Sequence, residues 1–238
     1  TLVRNISYVY GGAQSINPHG LENIKNGPLN LNLLSDLVGS AQYIYRLVSV
    51  LAAILLLLGG TFYILTVLPD GLNNTNILIG WLTFVLGNII AFYYGYLNVL
   101  LQGRGEVIFA NKVIIASRSI HVIVSIVLLI MGFGLLGLGV ASLTSTITCR
   151  WLANRYVYSA KHPEMNGLVF DKKRISEVIK ILWFNASRLG IVLIGSFLIW
   201  KGNILVASSF LGLKDAASYG LAIQIFVLLN TISTVPFF

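Results

Sequence analysis

Acid and sulfur are scarce in this chain of 238 residues, which carries 8 Asp and Glu against 16 Lys and Arg, two methionines and a single cysteine. The lone Cys149 excludes an internal disulfide and is expected to be an inert thiol at the end of an apolar run. His19, His121 and His162 are scattered, with no paired Cys or His spacing to suggest a metal site. A Ser/His/Asp grouping, a G-x-x-x-x-G-K-S/T phosphate loop and a pair of carboxylates set for acid and base work are all missing, and Gly11-Gly12 is too sparse to cradle phosphate. These absences argue against an enzyme, and no cofactor is expected.

The placement of the acids excludes more. Glu22, Asp36, Asp70, Glu106, Glu164, Asp171, Glu177 and Asp215 all lie outside the long apolar runs or at their margins. A pump coupled to protons or sodium, or one that binds cationic drugs, usually holds a carboxylate within the membrane. None is visible here.

What the chain does have is apolar length. Runs at about Tyr45 to Leu68, Ile77 to Leu101, Val113 to Phe133, Leu135 to Leu152, Trp183 to Phe210 and Ala216 to Phe238 each approach the ~20 helical residues that cross a bilayer core. If the chain changes sides at each run, every Lys and Arg except Lys201 and Lys214 falls on the side that holds the first 44 residues, the Gly103 to Lys112 turn and the Trp151 to Leu182 connector. The positive-inside rule makes that side cytoplasmic. The formal net charge of +8 is therefore topology, with anionic headgroups of membrane lipids as its neighbours, and a nucleic-acid partner is not expected. The expected fold class is an all-α, polytopic membrane helix bundle.

Between the runs, residues 1–44 read as a polar and amphipathic segment. Asn17-Pro18-His19-Gly20 and Asn26-Gly27-Pro28 are turn chemistry, and Leu33, Leu34, Leu37 and Val38 have the spacing of a surface helix leading into the first run at the cytoplasmic interface. The connector ends in Asp171-Lys172-Lys173-Arg174 followed by Ile175, Val178, Ile179 and Leu182, a short amphipathic helix with Ser176 and Glu177 on its polar side. It reads either as a hinge between two groups of spans or as a solvated linker carrying orientation charges. Within the runs, Gly59-Gly60, Gly80, Gly87, Gly95, Gly132, Gly134, Gly137, Gly139, Gly190, Gly195 and Gly202 suit close helix approach, and in a transporter sliding as well.

Basic groups inside the runs are the candidates for binding. Lys201, followed by Gly202 and Asn203, sits well inside the fifth run, where a charge costs about 2.5 to 3.5 kcal/mol unless it faces a wet cavity, a partner or the interface. Arg118 and His121 share one helical face near the start of the third run, with Ser117 and Ser125 close by, and Arg188 has a similar depth on the fifth. Together they would form a cationic vestibule for phosphate, although an arginine at a membrane end also serves as an orientation anchor. Asn88, Tyr93, Tyr94, Tyr96 and Asn98, with Gln224 and Asn230, offer amides and aromatic faces suited to sugar hydroxyls, or else to interhelical hydrogen bonds and an interfacial belt.

Three stretches carry a resemblance. Thr1-Leu2-Val3-Arg4-Asn5-Ile6-Ser7-Tyr8 with Gly11-Gly12-Ala13-Gln14, Leu100-Leu101-Gln102-Gly103-Arg104-Gly105 leading to Ala110-Asn111-Lys112, and Phe210-Leu211-Gly212-Leu213 before Ala217-Ser218-Tyr219-Gly220-Leu221 resemble the polysaccharide flippases of the MATE-like superfamily, the Wzx-type exporters of O-antigen and capsule repeat units. The resemblance implies a bundle of about a dozen helices in two halves around a cationic cavity, in a bacterial inner membrane. It also implies an undecaprenyl-diphosphate-linked oligosaccharide as substrate, turned from the cytoplasmic to the outer leaflet by alternating access, with glycan polymerase machinery as a further partner. The chain is expected to be an internal piece of such a protein, since it opens on Thr1 without a signal-peptide pattern and ends on Phe238 in an apolar run.

On that reading residues 1–44 hold the end of a preceding helix and a cytoplasmic loop, 45–152 four helices of the N-terminal half, 153–182 the linker, and 183–238 two helices of the C-terminal half. Lys201, Arg188, Arg118, His121, Asn98 and Asn203 are the expected substrate contacts. Two alternatives stand beside it: a multidrug or metabolite antiporter of the same superfamily, which should show an acid facing the cavity, and a membrane scaffold that transports nothing.

Overall fold

Asn30 starts the first long helix: its Oδ1 accepts a hydrogen bond from the Leu33 N–H at 3.1 Å, satisfying one of the donors that every helix start leaves open. In the computed structural model, which describes residues 2–16, 28–67, 74–159, 161–210 and 212–234, the chain divides into two compact units, 1–185 and 186–238. The described residues contain helices and no strand.

In the first unit, α1 (Leu2–Tyr10) precedes α2 (Leu31–Ile54), which continues through a π-helical stretch at Leu55–Gly60 into α3 (Thr61–Val67). Then come α4 (Asn74–Tyr93), α5 (Tyr96–Gly103), α6 (Val107–Ile130) and α7 (Gly134–Val157). A 3-10 turn at Pro163–Met165 leads into α8 (Lys172–Phe210), which carries the boundary between the units, and the second unit ends in α9 (Leu213–Thr234).

Four helices are long and apolar enough to cross a membrane: Leu31–Thr66, Thr75–Gly103, Val107–Ile130 and Gly134–Val157. The shortest of them have 24 residues and so measure about 36 Å, against a hydrocarbon core of about 30 Å. Residues 172–184 and 186–204 add a fifth if they count as one span. Six runs were expected. The end of the sixth, Val235 to Phe238, lies outside the described residues. The outward faces of these helices carry many exposed large apolar residues, with Leu55, Leu58 and Phe62 each 70% exposed and Ile130 82%, as suits contact with lipid. This is a membrane protein.

The buried core lies at the end of the first unit that holds the α5–α6 turn and the connector. Ile6 and Val9 of α1, Leu34, Leu37 and Val38 of α2, Leu97 and Leu101 of α5, Val157 of α7, Met165, and Val178 and Leu182 of α8 pack together there. This corrects two expectations. The helix of the first run begins at Leu31 rather than near Tyr45, and Leu34, Leu37 and Val38 are fully buried rather than on a surface helix. Similarly, the apolar stripe Val178 and Leu182 does belong to a helix, but that helix is not short: α8 continues to Phe210.

Glycines set the packing of the long helices. A Cβ on Gly80 of α4 would lie 2.9 Å from the backbone of Leu135, and one on Gly87 would lie 3.3 Å from Leu143 Cα, so α4 and α7 touch backbone to backbone, with Gly139 meeting the Gly80 carbonyl from the other side. The second run is broken between α4 and α5, where Gly95 and Asn98 form tight bonds to carbonyls three residues earlier, Phe92 (3.0 Å) and Gly95 (3.2 Å). Tyr45 packs its ring where a Gly95 side chain would stand. The Leu100–Gly105 stretch ends α5 with Gly105 at φ +90° and the Glu106 N–H bonded to the Leu101 carbonyl at 3.0 Å, a helix stop that needs glycine.

Candidate functional site

Three helices of the first unit present polar residues at helical spacing to one cleft. On α7 these are Ser142, Ser145, Thr146, Cys149 and Arg150, on α6 Ser117, Arg118 and His121, and on α4 Asn88. The break at Gly95 re-aims the chain so that Asn98 of α5 joins them. The cleft has a volume of about 450 Å³, within the range of small-molecule sites. No Asp or Glu is among its lining residues.

Its electrostatics are one-sided. Arg118 and Arg150 bring two guanidinium groups to the cleft, and His121 adds an imidazole. Arg150 is the anchored one: its Nη2 donates to the Ala91 carbonyl at 2.8 Å, while its buried Nη1 has no hydrogen-bond partner among the described residues. Asn98 Oδ1 is likewise buried and unpaired. A buried group left without a partner costs about 1 to 3 kcal/mol, and more when charged, so an anion that engages Arg150 Nη1 recovers free energy that the empty cleft forgoes. The wall behind them is firm, because Ser117 and Ser145 bond to each other across the α6–α7 contact.

Of the six residues expected to bind substrate, the cleft brings together Asn98, Arg118 and His121. The other three belong to the second unit. Arg188 is exposed on α8. Lys201 stands on α8, but its side chain lies outside the described residues. Asn203 lines a separate pocket of about 260 Å³ with Ile199, Tyr219, Ile223 and Phe226. Arg150 was missed, having been read as an orientation charge. Its signal was present, because Ser142, Ser145, Thr146, Cys149 and Arg150 follow the i, i+3, i+4, i+7, i+8 pattern of one helical face.

A second polar cluster lies beside the core. Arg104 Nε donates to Tyr10 Oη at 3.2 Å, Tyr10 Oη donates to Glu164 Oε1 at 3.4 Å, and His162 stands 3.1 Å from Glu106 and 3.4 Å from Glu164. Burial raises the Tyr10 phenol above its ordinary value, with the Arg104 guanidinium opposing the shift. Most charges here have an opposite neighbour, and the cluster ties α1, the α5–α6 turn and the connector together, with Arg104 Nη1 and Nη2 and Glu106 Oε2 buried without a hydrogen-bond partner among the described residues. Among the described residues no group of three His, Cys, Asp or Glu is arranged to hold a metal ion. Neither a protein-family model, nor a curated protein, nor a solved structure matches the chain.

Proposed function

We propose that the protein is a multi-pass transporter that moves an undecaprenyl-diphosphate-linked oligosaccharide from the cytoplasmic to the outer leaflet of a bacterial inner membrane, by alternating access. The observation that carries the reading is the cationic, acid-free cleft of Arg118, His121 and Arg150, with Asn88 and Asn98 beside the charges. A lipid diphosphate leaving the headgroup layer loses hydration that only paired cations and hydrogen-bond donors offset. Amides next to the arginines suit the first sugars. The backbone contact of α4 and α7 through Gly80, Gly87 and Gly139 gives the walls a rigid pair that can move as one body. The likeness of Leu100–Gly105 and of the opening residues to polysaccharide flippases points the same way.

The test is surface glycan in cells that lack their own flippase and express the protein, with abundance followed by blot. Arg118→Gln together with Arg150→Gln is expected to abolish surface glycan at normal protein level. Full surface glycan in that variant refutes the role of the cleft. Lys201→Ala in the same cells reads whether the second unit contributes a cation.

A further inference from the structure

Gly39 of α2 has no side chain where Phe170 and Ile175 press against it: a Cβ there would lie 2.6 Å from Ile175 Cδ1 and 3.0 Å from Phe170 Cδ1. The contact is fixed by a polar bond on the same face, the Ser35 hydroxyl donating to the Val169 carbonyl, while the Ser40 hydroxyl, which donates to the Asp36 carbonyl at 2.6 Å, lies 3.3 Å from the Ile175 carbonyl. Beyond Gly39 the start of α8 and α2 leave a groove of about 760 Å³. Its apolar wall is Tyr43, Phe170, Ile175 and Ile179, and its polar residues are Gln42, Arg46, Lys172 and Ser176.

The two cations of this groove are not neutralised. Asp36 and Asp171, the nearby acids, both engage Arg174, at 3.6 and 3.4 Å. Glu177 is exposed and is not part of the groove lining. Among the described residues no carboxylate pairs with Arg46 or Lys172, and Arg46 stacks over the Tyr93 ring, 5.5 Å from its centre. Tyr43 and Phe170 stay 56% and 48% exposed, an amphipathic pair of the kind found at headgroup level. Apolar walls select a chain, and unpaired cations select an anion. A molecule with both, at the end of the bundle where Lys and Arg collect, is a lipid.

We propose that this groove is a binding site for one anionic phospholipid of the cytoplasmic leaflet, its phosphate held by Arg46 and Lys172 and its acyl chain laid along Tyr43, Phe170 and Ile179. Gln42 and Ser176 donate to its ester oxygens. The lipid thereby holds the start of α8 on α2. The site rests on the membrane character of the chain and not on the transport reading.

The protein purified in neutral detergent tests this by native mass spectrometry and thermal melting, with phosphatidylglycerol or phosphatidylcholine added. Wild type is expected to retain one phosphatidylglycerol with at least tenfold preference over phosphatidylcholine, and to melt higher with it. Arg46→Gln with Lys172→Gln should lose the preference, whereas Lys180→Gln, an exposed cation outside the groove, should keep it. Should the double variant fail to fold in phosphatidylcholine, Ile179→Trp, which fills the groove and leaves both cations in place, is expected to lose retention as well. Equal retention of the two lipids, unchanged preference in both groove variants, or displacement by inorganic phosphate overturns the proposal. None of these readouts depends on glycan export, so failure here and failure of the transport reading are separate results.

Discussion

Ser117 and Ser145 bond reciprocally across the α6–α7 contact: each hydroxyl donates to the other residue's carbonyl, at 3.0 and 2.9 Å, with the two Oγ atoms 2.8 Å apart. Both serines line the cleft, Ser117 next to Arg118 and Ser145 five residues before Arg150. A double-mutant cycle with Ser117→Ala and Ser145→Ala, read by unfolding in detergent, is expected to give a coupling of about 0.6 kcal/mol, the average for such bonds within membranes, and no more than about 1.7 kcal/mol. Simple additivity would mean that the pair fills space and no more.

The α4–α7 contact predicts a sharp contrast between glycines. Gly139→Val drives two methyl groups into the Gly80 carbonyl, and backbone cannot move aside as a side chain does. Loss of the folded protein from the membrane fraction is expected. Gly59→Ala, at a position with nothing within 4 Å, should leave abundance and melting within about 0.5 kcal/mol of wild type. Equal effects of the two would refute a packing role for Gly139.

How far the residues foretold this arrangement differs from feature to feature. The apolar runs were legible because crossing a bilayer imposes length and composition at once, and Val113 to Phe133 falls largely within α6 and Leu135 to Leu152 wholly within α7. The pairing of Arg118 with His121 was legible because three residues on a helix share a face. The start at Leu31 was not, since Ser35, Asp36 and Ser40 interrupt the hydropathy, while the two hydroxyls bond to the Val169 carbonyl and the α2 backbone and the Asp36 carboxylate pairs through Oδ2 with Arg174 at 3.6 Å. Nor was the break at Gly95: a glycine in an apolar run reads equally as close packing, and only the Tyr45 ring against it decides between the two. Arg150 was hidden by the rule that reads a basic residue at a span end as an anchor.

The Tyr10–Arg104–Glu164 cluster predicts a pH limb. The raised Tyr10 phenol means that the folded state holds its proton more tightly than the unfolded chain, so the stability linked to it is complete below pH 10.0 and is lost as pH rises through the raised value. Tyr10→Phe should cost about 1 kcal/mol at neutral pH, by removing two hydrogen bonds, and should flatten the alkaline loss. Arg104→Ala, which leaves Glu164 and Tyr10 without their guanidinium, should cost about 2 kcal/mol. An alkaline limb unchanged by Tyr10→Phe would assign it to another group.

Cys149 is a buried thiol that lines the same space as Arg118 and Arg150 and is the only cysteine in the sequence, so its alkylation, slow as expected of an inert thiol, reads access through the cleft. An occupant whose phosphates reach Arg150 Nη1 stands over the neighbouring thiol and shields it. Alkylation of Cys149, followed by mass spectrometry of the purified protein, should therefore slow when undecaprenyl diphosphate is present. Undecaprenol, which has the same chain and no phosphate, should protect far less. Arg150→Gln removes charge-assisted bonds worth about 1.5 to 3 kcal/mol, so protection should then require roughly ten- to hundredfold more of the lipid. If undecaprenol protects as well as the diphosphate does, the cleft reads the chain and not the charge, and the cations of the cleft serve topology.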